Sequence, residues 1–238
     1  MTTSSPICFA LDYPRLEDAR AGALRVRDAV GMVKVGLELF VEAGAAAVKI
    51  GAECGLPVFL DLKLHDIPET VERAVARASA LGAKVLTIHA TGGPAMCERA
   101  VARAQKEGGT LTIAAVTVLT SLDASDLAAV GVNADVATQA KRLARMAFDR
   151  GVRAFVCSPH EVKAMRAELG PEATLITPGV RPATDAGGDD QKRVATAARA
   201  IADGATWLVV GRPIRDAGDP AAAARTLRDE ARAALSAR

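Results

Sequence analysis

Aromatic residues make up only 3% of this 238-residue chain, which leaves Val, Ile, Leu and Ala to fill its interior. That scarcity suits a helix-rich α/β protein better than an aromatic-packed β-sandwich. The four cysteines, Cys8, Cys54, Cys97 and Cys157, are scattered and form no CxxC pair. This argues against a zinc site or a disulfide framework and suits a reducing cytosol. There are just three histidines, His65, His89 and His160, and they do not converge on a metal-ligand spacing. No uninterrupted apolar run approaches the roughly 18 residues that a membrane span needs. The opening Met1-Thr-Thr-Ser-Ser-Pro has neither the basic nor the apolar region of a secretory signal. A net charge of +2 is too small to suggest a nucleic-acid or membrane partner by bulk electrostatics. Pro/Gly/Ser-rich linkers and low-complexity tracts are missing too, so the expectation is one cytoplasmic, soluble domain over residues 1–238.

What the chain does have is alternation. Short apolar β-rich runs are followed, one after another, by longer Ala/Arg/Glu stretches of helical period. The runs are Ile7-Cys-Phe-Ala-Leu, Met32-Val-Lys-Val-Gly, Pro57-Val-Phe-Leu-Asp-Leu-Lys, Val85-Leu-Thr-Ile-His, Leu111-Thr-Ile-Ala-Ala-Val-Thr-Val, Ala154-Phe-Val-Cys, Thr174-Leu-Ile-Thr and Trp207-Leu-Val-Val. Helices are expected from near Pro14, over Leu37 to Ile50, through Ala74 to Leu81, from near Pro94, around Val136 to Asp149, and from Asp219-Pro220 to the end. Such β-then-α units predict a (β/α)8 TIM barrel. A doubly wound open sheet is the alternative; against it, the first strand lacks a Gly-rich dinucleotide fingerprint.

In a barrel, function collects at the C-terminal ends of the strands. The third strand ends Asp61-Leu-Lys63-Leu-His65-Asp66. Side chains alternate along a strand, so Asp61 and Lys63 share one face while Leu62 and Leu64 take the other. If the leucines face the helix layer, a carboxylate and an ammonium project into the barrel mouth, and Lys34 of the second strand adds another cation. An Asp-x-Lys-x-x-Asp pattern is moderately specific and could be a solvated cluster or a structural ion pair. Here it abuts an apolar strand, where charges cost several kcal/mol unless paired. Carboxylates on either side of Lys63 favour its protonated form, which makes it a ready proton donor.

The stretch Asp61-Leu-Lys-Leu-His-Asp-Ile-Pro-Glu-Thr70 closely resembles the signature of the orotidine 5′-phosphate decarboxylases. The resemblance continues through Ala10-Leu-Asp12, Lys34-Val-Gly36, His89-Ala-Thr-Gly-Gly93, Leu119-Thr-Ser121, Thr177-Pro-Gly-Val-Arg-Pro182 and Gly211-Arg212. Each fragment is weak alone, but they fall in order at successive strand ends. The resemblance implies that Lys34, Asp61, Lys63 and Asp66 form an alternating charge network, with Lys63 the catalytic acid. It implies that Asp66 reaches the neighbouring active site of a homodimer, with Thr70 also facing the partner's site. Asp12 and Lys34 would contact the ribose hydroxyls, and Ile67, Thr120 and Pro178 would contribute further substrate contacts. Arg181, Gln191, Gly211 and Arg212 would bind the phosphate or lie beside it. No cofactor and no metal are implied. Glu69 stands where Asn is common in the family.

The phosphate assignment has physical support of its own. Barrels often grip phosphate with the loops after strands seven and eight. Gly lets the backbone approach an anion closely, and Arg offers a two-pronged donor. Between these loops, Asp185-Ala-Gly-Gly-Asp-Asp190 has the composition of a lid that closes over the nucleotide. Thr120, on its residue type alone, reads first as a turn residue. His65 and His89 lean towards structural roles, and His160 is expected near a helix start.

Two alternatives remain. A magnesium-dependent sugar-phosphate decarboxylase or aldolase of the same suprafamily would carry an acidic metal ligand at the end of strand two, where this chain has Lys34. A non-catalytic phosphoribosyl-binding barrel would keep Arg181 and Arg212 but has no reason to hold Lys34, Asp61, Lys63 and Asp66 together.

Overall fold

Alternation along parallel strands decides which residues of this chain line a barrel and which face its helices. The computed structural model describes residues 5–181 and 194–237. Among them, β1 (Ile7–Ala10), β2 (Met32–Val35), β3 (Val58–Leu64), β4 (Val85–His89), β5 (Thr112–Val116), β6 (Ala154–Val156), β7 (Thr174–Thr177) and β8 (Trp207–Val210) hydrogen-bond in sequence order. β8 closes back on β1, so the eight parallel strands form a closed barrel. The expected (β/α)8 architecture is present and the open sheet is excluded.

The two sets of side chains separate cleanly. Cys8, Ala10, Met32, Phe59, Val85, Ala114, Ala154, Ile176 and Val209 form one buried cluster inside the barrel, with Val156 and Trp207 packed against it. The alternate residues, among them Ile7, Phe9, Val33, Val35, Val58, Leu60, Leu86, Ile88, Phe155, Leu175, Leu208 and Val210, join the larger cluster between barrel and helices. Leu62 and Leu64 pack against that outer cluster, so their expected direction holds. Small side chains on β1, β5 and β6 leave room for Phe59 and Trp207, which is how so aromatic-poor a chain fills its interior.

The helices are α1 (Leu16–Val26), α2 (Leu37–Ala43), α3 (Ala45–Cys54), α4 (Pro68–Ala80), α5 (Pro94–Lys106), α6 (Ala124–Ala129), α7 (Val136–Asp149), α8 (Val162–Leu169), α9 (Ala197–Asp203), α10 (Arg212–Arg215) and α11 (Pro220–Ser236). Proline at the first turn of α4, α5 and α11 suits positions whose N–H has no helical partner.

The structure adds detail to the sequence reading at three places. The helix read over Leu37 to Ile50 is two helices, because Gly44 sits at φ 53°, ψ −129°, a conformation that only glycine takes readily. The connection after β5 carries α6, set off by a capping box between Asp123 and Asp126. The end of β3 is not a regular strand. Its register against β4 shifts between Leu60 and Leu64, and Lys63 lies at φ 51°, alone among the described non-glycine residues in having a positive φ.

Candidate active site

The ladder places the charges. Lys34 pairs with Ala10 on one side and Phe59 on the other. Asp12 and Asp61 each lie two residues further along those flanking strands, so their carboxylates emerge above the apolar plug beside Lys34. Lys34 Nζ donates to Asp12 Oδ1 at 3.0 Å and lies 3.9 Å from Asp61 Oδ2. Lys63 Nζ donates to that same Asp61 oxygen at 2.8 Å. Asp12, Lys34, Asp61 and Lys63 thus form a line of alternating charge.

Burial acts on the line unevenly. The side chains of Lys34 and Asp61 are 12% and 13% exposed, against 29% for Lys63. Burial opposes the charge on Lys34, but Asp12 and Asp61 outweigh it and raise its pKa above the ordinary lysine value. Beneath it, burial pushes the Cys8 thiol far up, so it stays protonated.

One residue of this network was missed in the sequence. Thr87, on the inward face of β4, is fully buried. Its Oγ1 accepts from the Lys63 backbone N–H at 2.8 Å and donates to Asp61 Oδ1 at 2.9 Å. A single hydroxyl therefore pins both the positive-φ backbone at Lys63 and the carboxylate facing its ammonium. The available signal was a polar residue in phase with the inward Val85 and His89, which is faint because threonine is an ordinary strand former.

These residues line a partly open cleft at the C-terminal end of the barrel with a volume of about 220 Å³. Asp12, Lys34, Asp61 and Lys63 form its charged wall. Val116, Val118, Leu119, Thr120, Val156 and Pro178 give it an apolar side, and Gly179, Arg181, Gly211 and Arg212 form its far end. Charges, an apolar wall and a two-arginine end suit a ligand with a polar middle, an apolar face and an anionic tail. Among the described residues, no group of three or more His, Cys, Asp or Glu side chains is placed to hold a metal ion.

Of the residues expected in the site, Asp12, Lys34, Asp61, Lys63, Thr120, Pro178, Arg181, Gly211 and Arg212 are brought together in the cleft. Asp66, Ile67 and Thr70 are not. They lie past β3 on the exposed surface, with Ile67 65% exposed and Asp66 Oδ1 accepting from the Ile67 N–H at 2.7 Å. Gln191 and the Asp185–Asp190 stretch lie outside the described residues. His65 and His89 pack against one another with ring centroids 5.5 Å apart. Burial, then His65 and Lys63, lower the pKa of His89, so it is neutral near pH 7. His160 precedes α8 and contacts the Val194 carbonyl at 3.3 Å.

Comparison with known proteins points one way. The model of the orotidine 5′-phosphate decarboxylase / HUMPS family matches residues 5–227. The orotidine 5′-phosphate decarboxylase of Anaeromyxobacter sp. (strain K) is 54% identical over 227 residues, which is 95% of this chain and 98% of the relative. That of Thermobifida fusca (strain YX) is 49% identical over 228 residues, 95% of this chain and 96% of the relative. The crystal structure of orotidine 5′-phosphate decarboxylase from Lactobacillus acidophilus superposes with a TM-score of 0.84 at 34% identity, covering 96% of this chain and 99% of that one.

Proposed function

The chain belongs to the orotidine 5′-phosphate decarboxylase / HUMPS family and is a carboxy-lyase, and from that premise we propose that it decarboxylates orotidine 5′-monophosphate to uridine 5′-monophosphate without a cofactor, with Lys63 as the proton donor. The observation that carries this reading is the line Lys34–Asp61–Lys63, with Asp61 shared at 3.9 and 2.8 Å.

The chemistry explains the need for such a line. When the bond between C6 of the pyrimidine and its carboxylate breaks, carbon dioxide leaves and the electron pair stays on C6. No imine or thiazolium is attached to accept it. The site must stabilise that negative charge electrostatically and then deliver a proton to the same carbon. A fixed ammonium does both. Lys63 Nζ faces the developing charge, its proton moves to C6, and the neutral amine regains a proton from solvent. Charge held in place beforehand in a partly dry site counts for far more than in water. Asp61 keeps Lys63 oriented before the substrate arrives, through the 2.8 Å hydrogen bond from its ammonium, and in the complex it lies beside the departing carboxylate.

The cleft's layout supports the remaining contacts that the resemblance implies. Asp12 and Lys34 bind the ribose hydroxyls, while Thr120 and Pro178 border the ring. Arg181, Gly211 and Arg212 hold the phosphate; the resemblance assigns Gln191, outside the described residues, to the same group. Asp66, Ile67 and Thr70, exposed on the single chain, complete the site of a second copy in a homodimer. The closed barrel through which all eight strands run supports a single domain over the chain. No described helix is long and apolar enough to cross a membrane, and a soluble nucleotide substrate suits the cytoplasm. The magnesium-dependent alternative is disfavoured by Lys34: two ammonium groups about Asp61 already neutralise the carboxylate a cation would need.

The test is to incubate the purified protein with orotidine 5′-monophosphate in chelator-containing buffer and follow loss of substrate absorbance. Wild type should convert it, and Lys63→Ala should lose about two to three orders of magnitude in kcat, as removal of one preorganised charge donor does. No conversion by the folded wild type, with or without magnesium, would overturn the reading.

A further inference from the structure

The two ends of the cleft are mechanically joined at a residue outside it. α10 is a single turn that opens with Arg212 and closes with Arg215. The Gly211 carbonyl accepts from the N–H groups of both Ile214, at 3.0 Å, and Arg215, at 2.9 Å, which makes the turn tight. The Arg215 guanidinium leaves this turn and crosses to the loop after β1, where Nη1 donates to the Asp12 carbonyl at 2.7 Å. Its other edge is fixed by the next residue, with Nε on Asp216 Oδ1 at 2.6 Å and Nη2 on Asp216 Oδ2 at 2.9 Å. A planar guanidinium gripped along one edge has its remaining nitrogen aimed, not free to rotate.

Asp12 is therefore held at two points: Lys34 takes its Oδ1 at 3.0 Å, and Arg215 takes its backbone carbonyl. Gly211 lies close by, near enough that an added Cβ would stand 3.2 Å from Asp12 Oδ2. The short turn bearing Arg212 is thus packed and hydrogen-bonded to the loop bearing Asp12, across a sequence separation of 203 residues.

We propose that Arg215 is a positioning residue that couples the phosphate-binding turn to the ribose-binding aspartate, so that seating the phosphate on Arg212 sets Asp12 for the sugar hydroxyls. This rests on the ribose and phosphate assignments made above. An exposed ion pair between neighbours such as Arg215 and Asp216 contributes little stability by itself. What sets this pair apart is that its free nitrogen holds the backbone of a substrate-binding residue. Arg215 touches neither the reacting atoms nor the cleft, so it acts on substrate binding through Asp12 and leaves proton transfer at Lys63 intact.

Steady-state kinetics of Arg215→Met, which keeps the aliphatic stem, should show KM for orotidine 5′-monophosphate raised roughly tenfold, as for a lost charge-assisted hydrogen bond, with kcat within about twofold. Arg215→Lys, able to reach one acceptor, should recover part of the loss. Asp216→Asn, which keeps Arg215 but loosens its grip, should give a smaller KM rise and decides the matter alone if Arg215→Met fails to fold. In a double-mutant cycle, Asp12→Asn should cost less in the Arg215→Met background than in wild type, because the two act through one contact. Unchanged KM in the folded variants, a fall confined to kcat, or losses that multiply in full would each overturn the coupling. A wild type that does not convert the nucleotide would sink the proposed reaction and this inference together; an active wild type with an indifferent Arg215→Met would sink this inference alone.

Discussion

Thr87 shows how much a single hydroxyl can fix. It is fully buried and spends its donor on Asp61 and an acceptor lone pair on the Lys63 N–H. Thr87→Val keeps the shape of the side chain while leaving a buried carboxylate oxygen and a backbone N–H without that partner, a loss of about 1–3 kcal/mol for each group left unsatisfied. We expect kcat to fall roughly tenfold to a hundredfold as Lys63 loses its fixed position, since small misplacements of a reacting group are costly. Thr87→Ser should retain most of the activity. Equal kcat for wild type and Thr87→Val would show that Lys63 is held by Asp61 alone. At this scale the charged residues were legible and Thr87 was not. Asp12, Lys34, Asp61 and Lys63 stand out because charges on apolar strands demand partners. A threonine on a strand demands nothing until its neighbours across the sheet are known.

The end of β3 is where local rules and function part. Simple alternation put Asp61 and Lys63 on one face, and both do line the cleft. The route differs, because the strand breaks register against β4 and Lys63 takes φ 51°. A left-handed backbone at a non-glycine residue costs roughly 1–2 kcal/mol, offset here by the Thr87 bond to its N–H. Helix boundaries were legible where proline marks a start, as in α5 and α11. The split at Gly44 was not, since helix-forming sequence flanks it, Val-Glu-Ala before and Ala-Ala-Ala after, and only the backbone angles reveal the break. Glycine in α3 has another use. At Gly51 a Cβ would come within 2.2 Å of Val58 Cγ2 and 2.7 Å of the Leu56 carbonyl, so this glycine lets α3 lie close against the start of β3. Gly51→Ala should cost about 1–3 kcal/mol by overpacking, which lowers the melting temperature by several degrees for a chain of this size. Activity well below that temperature should be unchanged, because Gly51 packs behind the strand and away from the cleft. A melting temperature equal to wild type would mean that α3 shifts freely on the barrel.

For the molecule as a whole, the small net charge hides a strongly ordered arrangement. Alternating lysines and aspartates occupy the β1–β3 side of the barrel mouth, and arginines occupy the β7–β8 side. The closure of β8 on β1 brings Gly211 against Asp12. That closure was legible as eight repeating units, whereas the contact it makes between residues 12 and 215 lies beyond any local pattern. One part of the proposed site is still missing from the single chain. Asp66, Ile67 and Thr70 lie on the exposed surface, next to a strand whose other charges all enter the cleft. If Asp66 serves a second copy, mixing two inactive variants separates the possibilities by counting sites. In a heterodimer of Lys63→Ala with Asp66→Ala, one site lacks both groups and the other has Lys63 from one subunit and Asp66 from its partner. Random reassociation of equal amounts should therefore restore about one quarter of wild-type activity, as expected for a two-fold symmetric pair with shared sites. If Asp66 acted within its own subunit, each site of that heterodimer would lack one group and the mixture would remain inactive. Activity regained on mixing, at a level set by the proportions of the two variants, assigns Asp66 to the partner; none regained, with heterodimers demonstrably formed, returns it to its own chain.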